Sequence, residues 1–253
     1  VGKSTLFNCL SNAKALAANY PFATIEPNIG VIPVPDDRIS KLEQLVKPEK
    51  VQQAIVEIVD IAGLVRGASK GEGLGNKFLA NIRETHAIIH VLRCFENDNI
   101  THVDGSIDPV RDKETIDFEL QIKDLESIEK KIQTQKKKTR TGDKEAAKTL
   151  SILEVYKSHL EAGKSARSID LSDNEKEAVA DLMLLTDKPI LYICNVNEDE
   201  AINGNSYVES VRKVIHDEDA ELLIIAAAME ADIMELDTYE ERKEFLDDMG
   251  LKE

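Results

Sequence analysis

Short apolar runs rich in β-branched residues alternate with helical or glycine-containing stretches along this 253-residue chain. Five such runs stand out, at residues 30–34, 54–59, 87–92, 190–194 and 222–227. This alternation is typical of a largely parallel sheet with helices on both faces. The pattern therefore predicts an α/β fold.

The middle of the chain breaks this rhythm, because residues 113–165 contain no proline and carry apolar residues at helical spacing. The first run comprises Phe118, Ile122, Leu125, Ile128 and Ile132, and the second comprises Leu150, Leu153, Tyr156 and Leu160. Thr141-Gly142-Asp143 separates the runs. We predict an antiparallel helical hairpin with its turn there, whose first helix extends roughly 40 Å. Residues 173–185 and 231–249 are also helical in pattern.

Charge limits the partners that the chain can bind. Its 48 acidic and 32 basic residues give a formal charge of −16, so phosphate backbones repel the protein as a whole and any nucleic-acid contact must be local. A basic cluster lies near the predicted hairpin tip and comprises Lys130, Lys131, Lys136, Lys137, Lys138 and Arg140. A solvated helix face is the alternative interpretation of this cluster.

Composition excludes several classes of protein. No apolar window approaches the roughly 18–20 residues that span a bilayer, and no basic-then-apolar leader opens the chain, so we expect a soluble cytoplasmic protein that binds no membrane. Cys9, Cys94 and Cys194 are far apart and flanked by apolar residues. They are expected to be buried reduced thiols.

The chain opens with Val1-Gly2-Lys3-Ser4-Thr5, followed by the apolar spacing of a helix. Gly-Lys-Ser at a helix N-terminus is the second half of a phosphate-binding loop: backbone N–H groups surround phosphate oxygens, the lysine reaches the β- and γ-phosphates, and the serine hydroxyl ligates Mg²⁺. The first glycine of this motif and the strand before it are expected upstream of Val1. We therefore expect the natural N-terminus to be missing and nucleotide affinity to be weakened.

Further elements follow in the order that a nucleotide-dependent switch requires. Thr24 lies in a proline-bounded loop, where a switch threonine completes Mg²⁺ coordination. Asp60 directly follows an apolar run, so it can hold a water ligand of the ion, and the N–H of Gly63 can meet a γ-phosphate. Gly71, Gly73 and Gly75 then form a glycine-rich segment that we interpret as a second switch rather than a plain surface loop.

Two later segments are predicted to face the base. Asn195-Val196-Asn197-Glu198 follows the fourth apolar run in the place of a base-recognition loop, and Ala226-Ala227-Ala228 ends the fifth run, where small residues back the base. Phe95 follows the third run. Two interpretations of this residue stay open: packing against the base and ordinary core packing.

These motifs resemble the YchF family of Obg-related P-loop NTPases, the Obg-like ATPases. The segments that carry the resemblance are residues 19–28, 60–68, 71–76, 93–98 and 195–198, and the match extends over essentially the whole chain. The resemblance implies a nucleotide-binding G-type domain over 1–112 and 186–253, with a helical insertion over 113–185. Members of this family also carry a C-terminal TGS domain, which nothing before Glu253 supplies.

The resemblance further implies slow hydrolysis of ATP to ADP and phosphate, with ribosome association and a role in translation or stress regulation. Lys3 would stabilise charge on the transferred phosphoryl group, Ser4, Thr24 and Asp60 would hold Mg²⁺, and Gly63 would sense the γ-phosphate. A monovalent cation is kept as a further candidate cofactor, a local contact with ribosomal RNA is expected, and free DNA is not expected as a partner. Two alternatives stay open: a GTPase of translation or ribosome assembly, and a non-catalytic, nucleotide-gated ribosome-binding protein.

The water-positioning group and the base preference depart from the usual GTPase pattern. Many switch GTPases orient the attacking water with a glutamine after Asp-x-x-Gly, but Leu64 occupies that position. His102 is the candidate that replaces it, with a surface histidine as the alternative. GTPases recognise guanine with Asn-Lys-x-Asp, whereas this chain has Val196 and Glu198 at the second and fourth positions. We therefore expect ATP to be preferred over GTP, with Asn195 as the main base-recognition residue.

Overall fold

The computed structural model describes residues 2–11, 28–61, 74–100, 102, 105–236 and 238–250. These residues form two compact units, one comprising Val1–Ile61 and Ala227–Glu253 and the other comprising Ala62–Ala226. The fold class expected from the sequence is confirmed, because elements of both types occur in the expected order. The domain boundaries implied by the family resemblance stay a prediction.

The first unit contains helices and an antiparallel strand pair. Its elements in the described residues are α1 (Lys3–Ser11), β1 (Asn28–Pro33), α2 (Asp37–Val46), β2 (Ile55–Asp60), α8 (Ala227–Glu235) and α9 (Tyr239–Asp248). Helix α1 packs against β1 at Gly30, where an added Cβ would lie 2.6 Å from the Cβ of Ser11. Only glycine permits this close approach of helix and strand.

The pairing of β1 with β2 differs from the largely parallel sheet expected from sequence. The two strands run antiparallel, with Asn28 opposite Asp60 and Pro33 opposite Ile55. Apolar periodicity specifies that a segment is a strand but carries no information about its direction, which the connecting segment determines. Here the connection contains α2 and returns the chain alongside β1 in the opposite sense.

The second unit contains the parallel sheet. Its elements in the described residues are α3 (Leu74–Glu84), β3 (Ile88–Arg93), α4 (Pro109–Thr139), α5 (Lys144–Glu161), α6 (Asp173–Glu177), β4 (Ile190–Asn195), α7 (Ser206–Val214) and β5 (Ala220–Ile225). The strands pair in parallel in the order β3, β4, β5. Helix α7 buries Val208 and Val211 in one core with Leu92 and Tyr192 of the sheet.

Helices α4 and α5 form the antiparallel hairpin predicted from sequence. Asp108 caps α4 by accepting from Arg111 N at 3.0 Å, with Pro109 in the first turn, and α4 ends at the turn that contains Gly142. Asp143 caps α5 by accepting from the backbone N–H groups of Glu145 and Ala146. At 1.5 Å per residue, the 31 residues of α4 extend about 46 Å.

Of the buried charged side chains on α4, Lys113 and Asp124 join the hairpin to the segments that lead into the sheet strands β4 and β5. Lys113 donates to Asp117 at 2.6 Å and to Glu218 at 2.5 Å, and Tyr192 donates to Glu218 at 3.0 Å. Burial alone would lower the pKa of Lys113, but the two carboxylates raise it above its usual value. The ammonium group therefore stays charged inside this contact.

Asp124, the second buried charge, is fully enclosed. Its carboxylate accepts from Leu185 N at 2.8 Å and from the N–H and hydroxyl of Thr186 at 2.8 and 2.7 Å. Burial raises the pKa of Asp124, while these hydrogen bonds act in the opposite direction. Leu185–Asp187 is the 3₁₀ turn before β4, so Asp124 fixes where this strand begins.

Three details of the predicted helices are wrong. Residues 173–185 form a five-residue helix followed by 3₁₀ turns, because the backbone leaves helical geometry at Val179, with φ of −122° and ψ of 1°, and again at Met183, which adopts a left-handed conformation with φ of 44°. Phe118, expected on the apolar stripe of the first hairpin helix, is 61% exposed. Residues 231–249 form parts of two helices, because Thr238 begins α9 with a new cap.

The structure also addresses the cysteines and membrane insertion. Cys94 and Cys194 are fully buried free thiols as expected, whereas Cys9 is only partly buried. Among the helices of the described residues, none combines the length and apolar character needed to cross a bilayer.

The buried carboxylate of Asp124 gives a testable consequence for stability. Asp124→Ala leaves three buried donors without an acceptor, each worth about 1–3 kcal/mol, so we expect the free energy of unfolding to fall by at least about 3 kcal/mol. Denaturant unfolding measures this loss. Glu126→Gln, on the same helix and in a half-buried pair with Lys123, is the control and should change stability by less than about 1 kcal/mol. Equal effects of the two substitutions would contradict the assignment.

Candidate functional site

The start of α1 brings together three residues predicted to act on phosphate and metal. Gly2 lies before the helix with φ of 89°, and its carbonyl accepts from Leu6 N at 2.8 Å. The Lys3 ammonium forms an ion pair with the Asp60 carboxylate at the end of β2, and Ser4 Oγ lies 3.4 Å from Asp60 Oδ2. The lysine and the acid, 57 positions apart, therefore meet at the helix N-terminus.

The donor set at this point fits Mg²⁺. Ser4 and Asp60 offer a hydroxyl and a carboxylate oxygen, which are the hard ligands that Mg²⁺ takes in proteins. The Asp60 side chain is 9% exposed and that of Lys3 is 38% exposed, so the acid is anchored while the ammonium group can reach outward. Thr5 follows in the first turn of α1 and is partly buried.

Thr24 and Gly63, predicted to ligate Mg²⁺ and to sense the γ-phosphate, lie outside the described residues. The glycine-rich segment at 71–73 also lies outside them, and helix α3 begins at Leu74. The roles of Thr24 and Gly63 stay predictions from the sequence.

The predicted base-recognition residues follow β4 in the second unit. Asn195 ends the strand and is buried, with its carbonyl accepting from Cys94 N at 2.8 Å. Val196 is also buried, and its N–H donates to Ile225 O at 2.9 Å. Glu198 starts an exposed 3₁₀ turn that Asn197 caps. The loop thus combines a buried amide and an apolar side chain with an exposed acid.

The alanines predicted to back the base follow the last strand. Ala226 and Ala227 are buried, and Ala228 is exposed. Since Val196 pairs with Ile225, the base-recognition loop lies directly beside the residue that precedes Ala226. Phe95 is 8% exposed, with its ring 4.9 Å from the Arg93 guanidinium carbon.

His102 lies beside the first turn of α4. Its Nε2 is 2.8 Å from Asp112 Oδ2, and its side chain is 16% exposed. The side chain is therefore partly screened from water and held by a carboxylate. His90, by contrast, lies in β3 against Tyr192, with ring centroids 5.6 Å apart, and has the core environment expected from the sequence.

Arg93 has a structural role that the sequence did not reveal. Its guanidinium is buried and donates to three backbone carbonyls, those of Phe95 at 3.1 Å, Asn97 at 3.1 Å and Ile100 at 2.9 Å. These bonds fold the segment after β3 around one planar cation. A charged residue at the end of an otherwise apolar strand is the signal that could have indicated this role.

Comparison with known proteins shows the family of this chain. Residues 1–141 match the family model described as 50S ribosome-binding GTPase. Across all 253 residues the chain is 54% identical to the ribosome-binding ATPase YchF of Pasteurella multocida, and it spans 69% of that protein. The chain belongs to the YchF family.

Other YchF proteins give the same result. The ribosome-binding ATPase YchF of Bacillus subtilis is 48% identical over 255 aligned residues, with 100% of this chain covered. A solved structure described as the Schizosaccharomyces pombe YchF GTPase superposes with a TM-score of 0.83 at 36% identity, covering 100% of this chain and 69% of that one. The relatives are thus named both as ATPases and as a GTPase, which makes the base-recognition loop the feature to test.

The three carbonyl contacts of Arg93 lead to a prediction. Arg93→Lys retains the charge but cannot reach all three oxygens, so we expect unfolding free energy to fall by roughly 2 kcal/mol. Hydrogen exchange should also lose protection at the Ile100 amide, which donates to Asn97 O within this segment. Arg38→Lys, at an 86% exposed side chain, is the matched control and should change stability by less than about 0.5 kcal/mol. Unaltered exchange at Ile100 would refute the role of Arg93.

Proposed function

We propose that this chain hydrolyses ATP to ADP and phosphate and acts as a slow molecular switch on the ribosome. The observation that carries the proposal is the meeting of Lys3, Ser4 and Asp60 at the N-terminus of α1. The YchF relatives, named ribosome-binding ATPases at 48–54% identity, support the same activity and the ribosome as partner. A ribosome partner implies a cytoplasmic location.

Each group at the start of α1 has a chemical role in this proposal. When nucleotide binds, the Lys3 ammonium leaves the Asp60 carboxylate and contacts phosphate oxygens instead. There it stabilises the charge on the transferred phosphoryl group. Ser4 and Asp60, with Thr24, hold Mg²⁺, which when bound neutralises charge on the β- and γ-phosphates. Gly63 senses the γ-phosphate, and a monovalent cation stays a further candidate cofactor.

His102 is assigned to the attacking water, because Leu64 cannot form a hydrogen bond to it. An imidazole can orient water or accept its proton near neutral pH. Replacement of His102 by alanine is therefore expected to preserve nucleotide binding and to slow hydrolysis. Single-turnover phosphate release from ATP is the direct test of the activity, and no release above the uncatalysed rate would support the non-catalytic alternative.

Base preference distinguishes this proposal from the GTPase alternative. Adenine donates from its exocyclic amine, for which the Asn195 side-chain oxygen is a suitable acceptor, while Glu198 is one methylene longer than the aspartate that binds guanine. Each buried polar group that guanine leaves without a hydrogen-bond partner costs about 1–3 kcal/mol of binding free energy, so the site disfavours GTP. Val196 lies in the core, so a lysine there would disturb folding as well as specificity.

We therefore predict that the full-length protein binds ATP at least about tenfold more tightly than GTP, measured by competitive titration. Asn195→Ala should reduce the ratio of ATP affinity to GTP affinity by weakening ATP binding. Glu198→Asp should reduce the same ratio by strengthening GTP binding. Asp199→Ala, at the exposed neighbouring acid, is the control and should leave the ratio unchanged. GTP affinity equal to or higher than ATP affinity in the wild-type protein would favour the GTPase alternative.

The ribosome contact is assigned to the hairpin tip. Lys137, Lys138 and Arg140 are exposed and form no ion pair with any described residue. Lys136, however, pairs with Glu154 at 3.0 Å, and Lys131 pairs with Asp181 and donates to Ala178 O at 3.1 Å. We therefore assign the contact with ribosomal RNA phosphates to Lys137, Lys138 and Arg140. No contact with a membrane or with free DNA is proposed.

Reversal of charge at the tip tests this contact. Lys137→Glu with Lys138→Glu should weaken co-sedimentation with ribosomes and flatten its log–log salt dependence by about 0.9 for each phosphate that is no longer neutralised. Lys164→Glu with Lys213→Glu, at exposed lysines away from the tip, makes the same change in net charge and serves as the control. An identical salt slope in both double variants would show that the tip is only a solvated helix end.

A further inference from the structure

The segment that carries the predicted base-recognition residues forms a closed loop between β4 and α7. It begins at Asn195, the last residue of β4, and ends at Asn205, the residue before α7. Both ends are attached to Cys94, the residue that follows β3. The Cys94 N–H donates to the Asn195 carbonyl at 2.8 Å, and Asn205 Nδ2 donates to the Cys94 carbonyl at 2.6 Å. One residue therefore holds the first and the last position of the loop.

The backbone of this loop turns back sharply just before Asn205. Gly204 N donates to Glu200 O at 2.7 Å, which closes a turn, and Gly204 itself has φ of 71°. A Cβ at this position would lie 3.0 Å from Ile224 Cδ1. Glycine suits this site because it adopts a positive φ without strain and leaves room for the neighbouring side chain. The turn directs the chain so that Asn205 lies beside Cys94.

The side-chain amide of Asn205 uses both of its ends. Its Oδ1 accepts from Tyr207 N at 3.0 Å and from Val208 N at 3.1 Å, and these bonds cap α7. Its Nδ2 donates to the Cys94 carbonyl. Capping requires only the oxygen, and of the usual capping side chains, those of Ser, Thr, Asp and Asn, only that of Asn also carries an N–H donor. The bond to Cys94 therefore accounts for the amide at this position.

This bond holds the part of the loop that the sequence assigns to base discrimination. Cys94 is fully buried, so its carbonyl cannot turn to water when the Asn205 amide is lost. Near its start, the loop has a further attachment, because Val196 N donates to Ile225 O at 2.9 Å. Glu198 lies between this attachment and Asn205. Loss of the bond at Asn205 is therefore expected to release the loop on the side that follows Glu198.

We propose that Asn205 is a positioning residue that maintains base preference by fixing the base-recognition loop on Cys94. This inference rests on the proposed base recognition by residues 195–198 and adds the residue that holds their loop in place. A loop that can shift makes poorer contacts with the preferred base and excludes the other base less well, so discrimination falls. ATP and GTP share the ribose and the triphosphate, so the ratio of their affinities reports the contacts with the base.

The test is competitive titration of ATP and GTP against the full-length protein that carries Asn205→Asp. Aspartate matches asparagine in size and keeps an oxygen for the helix cap, but its carboxylate cannot donate to the Cys94 carbonyl. We expect the ratio of ATP affinity to GTP affinity to fall at least about threefold. Asn205→Ser keeps a capping oxygen without adding charge and should lower the ratio in the same way.

Hydrogen exchange gives a second readout that needs no nucleotide. The Cys94 amide, which donates to Asn195 O, should exchange faster in both Asn205 variants than in the wild-type protein. Unaltered exchange at this amide would show that Asn205 does not hold the loop on Cys94.

A cap elsewhere in the same unit is the matched control. Asp143 caps α5 by accepting from the N–H groups of Glu145 and Ala146, both at 3.0 Å. Asp143→Ala should lower stability but leave the affinity ratio unchanged, because a smaller folded fraction weakens ATP and GTP binding equally. An equal fall of the ratio in Asp143→Ala and Asn205→Asp would overturn the inference in favour of a general effect of stability. Should Asn205→Asp fail to fold, Asn205→Ser decides the same comparison.

The outcomes also distinguish this inference from the proposed function. If the wild-type protein prefers ATP and both Asn205 variants keep its ratio, the positioning role is wrong and the proposed base recognition stands. If the wild-type protein prefers GTP, the GTPase alternative replaces the proposed function, and the same variants should reduce that preference. A wild-type protein that binds ATP and GTP equally would refute the proposed base recognition and this inference together.

Discussion

Lys113 and Asp124 are among the charged side chains of α4 that are removed from water, and the arrangement of the second unit depends on how their charges are satisfied. A buried charge without partners costs several kcal/mol, so each must be met by groups in fixed places. Lys113 meets Asp117 and Glu218, and Asp124 meets the turn at Leu185 and Thr186. The helix can therefore neither slide nor rotate against the sheet without leaving one of these buried charges unpaired.

This constraint extends to both ends of the hairpin helix. Lys113 directly follows Asp112, so the ion pairs that fix α4 on the sheet also fix the residue that contacts His102. At the far end, the same helix carries the exposed lysines of the tip. Between these ends, α4 and α5 share an apolar core that includes Ile128 and Tyr156.

The sequence was sufficient to predict features that arise from local pattern. The hairpin turn at Gly142, the strand at β4 and the position of Asp60 at the end of an apolar strand follow from periodicity, turn chemistry and motif order. The antiparallel direction of β2 and the carbonyl contacts of Arg93 did not follow, because both depend on where distant or non-periodic backbone lies. Asp112 was within reach of sequence analysis: Asp108-Pro109 is a typical helix start, and a helix begun there places Asp112 in its first turn.

Ile100 and His102, two described residues between β3 and α4, are each held by a different element. Arg93 binds the carbonyl of Ile100, two positions before His102, while Asp112 binds the His102 side chain. Asn205 adds a further restraint by donating to the Cys94 carbonyl at 2.6 Å. Backbone and side chain are thus oriented by different elements, the sheet and the hairpin. The imidazole keeps its contact with Asp112 only while the helix start stays in place beside this segment.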